Sequence, residues 1–458
     1  MRKNFLSMVV IFFAITLFIV SCQKETGNPA PKQQSEEISS ANQNDQHGHL
    51  IQTNTYSSEV VIKWMDMQLR LMRSATGIPN NAFTRHYAYS GIVLYEAVVP
   101  GMPAYQSLAG QLNNLSGLPE AAPGFAYYWP SSANAALAYI NKQMFPTTTA
   151  ANKASIDSLE NALNIQYQGD VNTGTINRSV AFGKAVAQKI FEWAQTDGYL
   201  HVSDAYTAPT GEGLWVPTAP AFAAAGTPYW GNLRTIVAGS GDNSQPTAPI
   251  SYSTNPSSDF YQMVKQVYDV SQTLTPEQTA MALYWRDVPG VTTPGHYINI
   301  LKQVLENDEV MLDKAAIAYA LGGIAANDAS ISCWQTKYHY NLVRPITYIR
   351  TVLGHTTWNP LLITPAHPEY SSAHAVLSAA TADVFSNLFG KNYSFTDHTY
   401  DYLGYTPRPF NSFQAFGIEA GNSRLYAGIH YQASIDIGLV QGRKIAQNII
   451  NKLRFLKE

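Results

Sequence analysis

Apolar residues in this chain recur every three or four positions, and few stretches alternate apolar with polar residues between turn pairs. A period near 3.6 marks one face of an amphipathic helix, whereas a half-buried strand needs a period of two. Val61, Trp64, Met65, Leu69 and Met72 fall on one such face, as do Phe182, Val186, Ile190 and Trp193. Thr275-Pro276-Glu277-Gln278 reads as a helix start, with Thr as cap, Pro in the first turn and Gln placed for the reciprocal capping bond. Ala375 to Phe389 before Gly390, and Ile435 to Leu453, read as further helices. Helix packing must supply the core, so the sequence predicts an all-α bundle without an extensive sheet.

With 458 residues, 45% hydrophobic and 13% charged, the chain can bury a large core. A formal net charge of -3 leaves no basic footprint for neutralising phosphates, which excludes nucleic acid as a partner. Arg2 and Lys3 precede an apolar run from Phe5 to Val20 that ends in Ser21-Cys22. This predicts a bacterial lipoprotein signal over 1–22, with Cys22 the lipidated residue. The run is short for a spanning helix. Residues 23–58, polar with Tyr56 the single aromatic, read as a tether. The protein is thus expected to be exported, at the outer membrane on its periplasmic face or at the cell surface, and held only by its lipid. Cys333 would then be the one remaining thiol, a small buried filler. Residues 59–257 are expected to form an N-terminal helical region whose long irregular segment, about 196–257, is rich in Pro, Gly and aromatics. Residues 258–458 would form the catalytic bundle, in one compact unit with it.

Three segments of the last third concentrate side chains suited to a tetrahedral oxyanion. In Trp334-Gln335-Thr336-Lys337 through Arg344-Pro345, Lys337 and Arg344 stand seven residues apart. On a continuous helix that spacing is about two turns, so both would face the same way, one a point charge and the other a planar fork of donors. In His367-Pro368-Glu369-Tyr370-Ser371-Ser372-Ala373-His374, the amides of Ser372 and Ala373 fall at a helix start, where unpaired N–H groups favour an anion. His374 follows in the first turn as an acid or base. Ser423-Arg424 through His430 adds a second guanidinium and another imidazole. Any one of these alone is more often a surface charge or a structural histidine, as His86, His296 and His339 are expected to be.

In this order and spacing the segments resemble the phosphatidic acid phosphatase type 2 / vanadium haloperoxidase superfamily, and in pattern the bacterial vanadium iodoperoxidases. Arg85-His86-Tyr87-Ala88-Tyr89 and Trp285-Arg286-Asp287-Val288-Pro289-Gly290 extend the resemblance upstream. It implies a helical bundle of the vanadium haloperoxidase / acid phosphatase type with vanadate as cofactor, in a site that phosphate can also occupy. Lys337, Arg344 and Arg424 would hold vanadate oxygens, with the Ser372 hydroxyl and Ala373 amide adding hydrogen bonds. His430 would coordinate vanadium, and His374 would take a proton from hydrogen peroxide. Trp334 and His367 would line the substrate pocket, and Asp287 would orient Arg424. The reaction implied is oxidation of iodide or bromide by hydrogen peroxide to hypohalous acid.

Two positions depart from the pattern. Ala373 stands where the family usually has glycine, and Ser434 stands where it usually has an aspartate that orients the metal-binding His. A lost carboxylate would weaken a nucleophilic His430, and with it the runner-up reading, an exported acid phosphatase using a phosphohistidine. A third reading, a glycan-binding surface lipoprotein without catalysis, gives the converging cations no purpose.

Overall fold

The computed structural model describes residues 51–286 and 291–458, which exclude Cys22, the leader and Asp287. Thirteen α-helices lie among them. The N-terminal half holds α1 (Glu59–Ser74), α2 (Ala82–Val98), α3 (Trp129–Met144), α4 (Ala150–Tyr167) and α5 (Thr173–Ala194). The C-terminal half holds α6 (Asp259–Gln272), α7 (Pro276–Tyr284), α8 (Thr293–Asn307), α9 (Leu312–Tyr340), α10 (Pro345–Thr351), α11 (Ala373–Phe389), α12 (Phe413–Tyr426) and α13 (Gln432–Lys452). Among the described residues the strands are β1 (Phe395–Asp397) and β2 (Arg408–Phe410), an antiparallel pair with Phe395 opposite Phe410. The Thr275–Gln278 capping box forms as the sequence predicts.

The longest helix, α9, is buried on nearly every face, as a helix at the centre of a bundle must be. It packs on α2 backbone to backbone. A Cβ at Gly91 would overlap the Tyr319 carbonyl, and one at Gly323 would lie 2.7 Å from Ala88 Cα. The same device seats α13 on α11: a Cβ at Gly442 would overlap the Val376 carbonyl, and one at Gly438 would lie 3.1 Å from the Ser372 carbonyl oxygen. The start of α11, where the candidate chemistry sits, is thereby fixed by α13.

The expectation that Lys337 and Arg344 share a helix is corrected. Helix α9 stops at Tyr340, because Asn341 adopts a left-handed conformation (φ 47°) and closes it. Arg344 is extended (φ -79°, ψ 151°) and caps α10, as Pro345 requires of the residue before it.

The irregular segment before α6 wraps the chain that follows α9. The Trp215 amide donates to the Asn341 carbonyl (2.6 Å), Val343 to Gly213 (2.9 Å) and Gly226 to Ala366 (2.7 Å). The buried Asp328 carboxylate of α9 accepts the amides of Ile236 (2.7 Å) and Val237 (3.0 Å).

Two predictions follow from this packing. Gly442→Val should lower the thermal midpoint by an amount equivalent to about 2 kcal/mol or more, since overpacked backbone contacts cost about 1–3 kcal/mol. An unchanged midpoint would show that α11 and α13 are not held this closely. His86 on α2 is buried with its ring edge-on to Phe145 (4.6 Å), and burial with the adjacent Arg85 charge holds it down to about 3. It stays neutral in the folded protein while the unfolded chain takes up a proton below about pH 6.5, so its presence lowers stability as pH falls. The stability of His86→Phe relative to the parent should rise by about 2 kcal/mol between about pH 7.5 and about pH 5. A pH-independent difference in denaturation midpoints would contradict a buried neutral ring.

Candidate active site

The loop 367–372, between α10 and α11, forms the floor of the site. Lys337, in the last turn of α9, donates to the carbonyls of Pro368 (3.0 Å), Glu369 (2.9 Å) and Ser371 (2.6 Å). These contacts occupy all three N–H bonds of the ammonium, and burial pushes its pKa down. Arg344 donates from Nε to the His367 carbonyl (2.8 Å) and from Nη2 to His367 Nδ1 (3.0 Å). Its Nη1 reaches the Ile429 carbonyl (2.8 Å) and His430 Nε2 (3.2 Å). Lys337 and Arg344 therefore meet at the same loop from successive elements.

Arg424, in the last turn of α12, donates from Nη1 to the Trp285 carbonyl (2.7 Å). The same carbonyl accepts from His374 Nε2 (2.9 Å), and His374 Nε2 also lies 3.2 Å from the Thr293 hydroxyl. Because a carbonyl only accepts, the Nε2 of His374 carries a proton, and in the neutral ring Nδ1 is the nitrogen that can take one. The Trp285 indole is fixed in turn: it stacks on His296 (4.3 Å, 16°) and donates to Glu419 Oε1 (2.9 Å). His296 itself bonds the buried Asp397 (2.6 Å), which its charge holds below the usual carboxylate range.

His430 lies between α12 and α13. Its Nδ1 donates to Glu369 Oε1 (2.7 Å), which also accepts the Tyr431 amide (3.0 Å), while Ser434 Oγ donates to Glu369 Oε2 (2.6 Å). The expectation that Ser434 leaves this imidazole without a carboxylate is corrected: Glu369 supplies one from the loop, and Ser434 orients that carboxylate. Burial raises Glu369, while Ser434, Arg344, Lys337 and the Tyr431 amide pull it back. Burial and the surrounding cations hold His430 well below its ordinary value, so the ring is neutral. With its proton on Nδ1, the lone pair of His430 is on Nε2.

A cavity of about 760 Å³ opens above, lined by Trp334, His367, Ala373, His374, Arg424 and His430 among others. Trp334 and His367 lie side by side with ring centroids 5.0 Å apart, and the indole donates to Thr227 Oγ1 (3.1 Å). Ser372 caps α11 and gives its own amide to the Ser434 carbonyl (3.1 Å). Its hydroxyl is buried and has no hydrogen-bond partner among the described residues. Ala373 opens the helix, where its methyl group meets no left-handed strain.

This donor set suits an oxyanion. Three cations act on one neutral imidazole, and the start of α11 supplies its first amides and a buried hydroxyl with no partner among the described residues. Among the described residues no group of three or more His, Cys, Asp or Glu side chains is placed to hold a metal cation. Lys337 adds charge beneath the loop, its N–H bonds being directed at the carbonyls. Glu369 and the Trp285 carbonyl were missed in the sequence. The first could have been noticed as the one acid in the 367–374 segment, while a main-chain acceptor leaves no sequence signal.

Residues 317–457 match the family model described as the VCPO second helical-bundle domain. The chain is similar to a bacterial vanadium-dependent iodoperoxidase of known crystal structure, at 33% identity over 88% of this chain and 98% of that one, with a TM-score of 0.80. It shares its fold with the holo and apo forms of a bacterial vanadium-dependent chloroperoxidase. These match at 16% identity over 83% of this chain and 93% of that one (TM-score 0.58), and at 15% over 82% and 96% (TM-score 0.57). No curated protein sequence matches the chain. The chain belongs to the vanadium haloperoxidase superfamily.

Removing a carboxylate that orients a ligating imidazole typically weakens ligand binding by roughly 10- to 100-fold. Glu369→Gln is therefore expected to raise the dissociation constant for orthovanadate by about that factor, with the helical circular dichroism spectrum retained. An unchanged constant would show that Glu369 does not hold the ring.

Proposed function

We propose that this protein is a vanadate-dependent haloperoxidase that oxidises iodide or bromide with hydrogen peroxide to hypohalous acid. The observation that carries this reading is the neutral His430 ring, its Nδ1 tied to Glu369 at 2.7 Å and its Nε2 beside the Arg344 guanidinium. The likeness to an iodoperoxidase at 33% identity favours the same chemistry. The carboxylate behind His430 means that Ser434 no longer separates this reading from phosphate-ester hydrolysis, so the relative carries that choice.

Vanadate, when bound, would supply a Lewis-acidic centre that polarises hydrogen peroxide toward attack by halide without changing its own oxidation state. His430 Nε2, which here faces the Arg344 Nη1 donor at 3.2 Å, would be the coordinating nitrogen once that donor turns to the anion. Arg344 and Arg424 would hold oxygens of the anion, the Ser372 hydroxyl and the Ala373 amide would donate to others, and Lys337 would add charge from below. Apart from the half-buried Ala373 all are buried, so their field on the anion is little screened by water. His374 Nδ1 would take the proton that hydrogen peroxide loses. Trp334 and His367 form the wall past which halide enters.

The Cys22 leader and the tether support a second part of the proposal, an exported lipoprotein. No helix among the described residues is long and apolar enough to cross a membrane.

The test is a pair of assays on one preparation. Peroxide-dependent iodide and bromide oxidation should appear on addition of orthovanadate and vanish in His430→Ala. Hydrolysis of p-nitrophenyl phosphate without any halide turnover would overturn the reading in favour of a phosphatase.

A further inference from the structure

Arg85 answers the carboxylate of Asp197 (2.6 Å), and Arg408 answers those of Glu419 (2.5 Å) and Glu277 (2.6 Å). Arg286 is also held in place, but it pairs with no carboxylate among the described residues. Its Nη2 donates to the Tyr405 hydroxyl and the guanidinium lies over that ring, 5.6 Å from the centroid, while its Nε is buried without a hydrogen-bond partner. Tyr405 is fixed in turn against Tyr400 (6.0 Å, 66°) and Tyr284 (6.4 Å, 39°), and the Tyr400 hydroxyl donates to the Val291 carbonyl (3.0 Å). A neutral phenol thus positions this cation without cancelling its charge.

That charge belongs to the lining of the cavity, together with Thr293, Pro294, His374 and Leu377. Arg286 follows directly on Trp285, whose carbonyl accepts from His374 Nε2 (2.9 Å) and Arg424 Nη1 (2.7 Å), so the chain itself brings it beside the acid–base group. Lys337, Arg344 and Arg424 are directed at the loop 367–372, at Trp285 and at the oxyanion. A second anionic reactant is repelled by the first, and it needs a cation of its own.

We propose that Arg286 holds the halide, which rests against its guanidinium at the cavity wall on the side of Trp285 and His374. The inference rests on the haloperoxidase reading and supplies the residue that binds its anionic substrate. A guanidinium is a weakly hydrated cation, and little water has to be stripped from it when an anion arrives. Bromide and iodide are larger than chloride and lose less hydration free energy beside a lining that includes Pro294 and Leu377, so this cation favours the heavier halides. Because Tyr405 already fixes the guanidinium, little ordering remains to be done on binding.

The experiment measures iodide oxidation by the vanadate-loaded parent, Arg286→Met and Arg286→Lys, and bromide binding in crystals of the same proteins kept with orthovanadate but without peroxide. Arg286→Met should raise the KM for iodide by roughly tenfold, the scale of one hydrogen bond to a charged group. The KM for hydrogen peroxide and the dissociation constant for orthovanadate should stay as in the parent. Arg286→Lys, which keeps the charge and loses the planar fork, should fall between the two. Anomalous scattering should place bromide against the Arg286 guanidinium of the parent and not in Arg286→Met. An iodide KM unmoved in Arg286→Met, or bromide found only elsewhere in the cavity, overturns the proposal while the haloperoxidase reading stands. An orthovanadate dissociation constant that rises as much as the iodide KM also overturns it, since Arg286 would then act on the cofactor. Bromide at Arg286 in a parent that turns over no iodide would overturn the haloperoxidase reading, and the substrate role with it, while leaving the anion site in place.

Discussion

Lys337, Arg344, Glu369 and His430 are buried within one short stretch of space, where water cannot solvate them. An unpaired charge in such a place is costly, so each has to be answered by a protein partner. The loop 367–372 is the answer to most of them. Its carbonyls accept the three N–H bonds of Lys337, its His367 accepts two donors of Arg344, and its Glu369 accepts the hydrogen bond of His430 Nδ1. The conformation of the loop and the ionisation of the site are one problem with one solution. That solution leaves His430 Nε2 facing Arg344, and the Ser372 hydroxyl, at the start of α11, without a partner among the described residues.

What holds those groups still lies further out. Helix α13 is brought against α11 through Gly438 and Gly442, so the helix start that would meet an anion is set by backbone contact and not by flexible side chains. The Trp285 carbonyl gathers Arg424 and His374, and the indole of the same residue is pinned by His296 and Glu419. A single residue thus positions two candidate site side chains through its main chain.

The bundle was legible in the sequence because periodicity and capping are local: Thr275 caps α7 and Ala373–Phe389 forms α11 with Gly390 after it. The candidate site was legible as a set of residue types, and the structure places His367, Ala373, His374, Arg424 and His430 on one cavity. Its connectivity was not. Reading Lys337 and Arg344 on one helix ignored Pro345, which forces Arg344 out of helical conformation, and Asn341, which ends α9. The substitution of the usual aspartate by Ser434 suggested a missing carboxylate, yet a loop residue 61 positions before His430 supplies it. Helical spacing carries no information about such a contact, since it depends on the path of the loop around Lys337.

The central claim is that His430, held by Glu369, is the group that receives vanadate. A crystal structure of the protein loaded with orthovanadate tests it most directly. Vanadium is expected bonded to His430 Nε2, with the Glu369 carboxylate still hydrogen-bonded to Nδ1 and the Ser372 hydroxyl donating to the anion. Vanadate bound elsewhere, or a His430 ring turned away from Glu369 with no bond to vanadium, would contradict it.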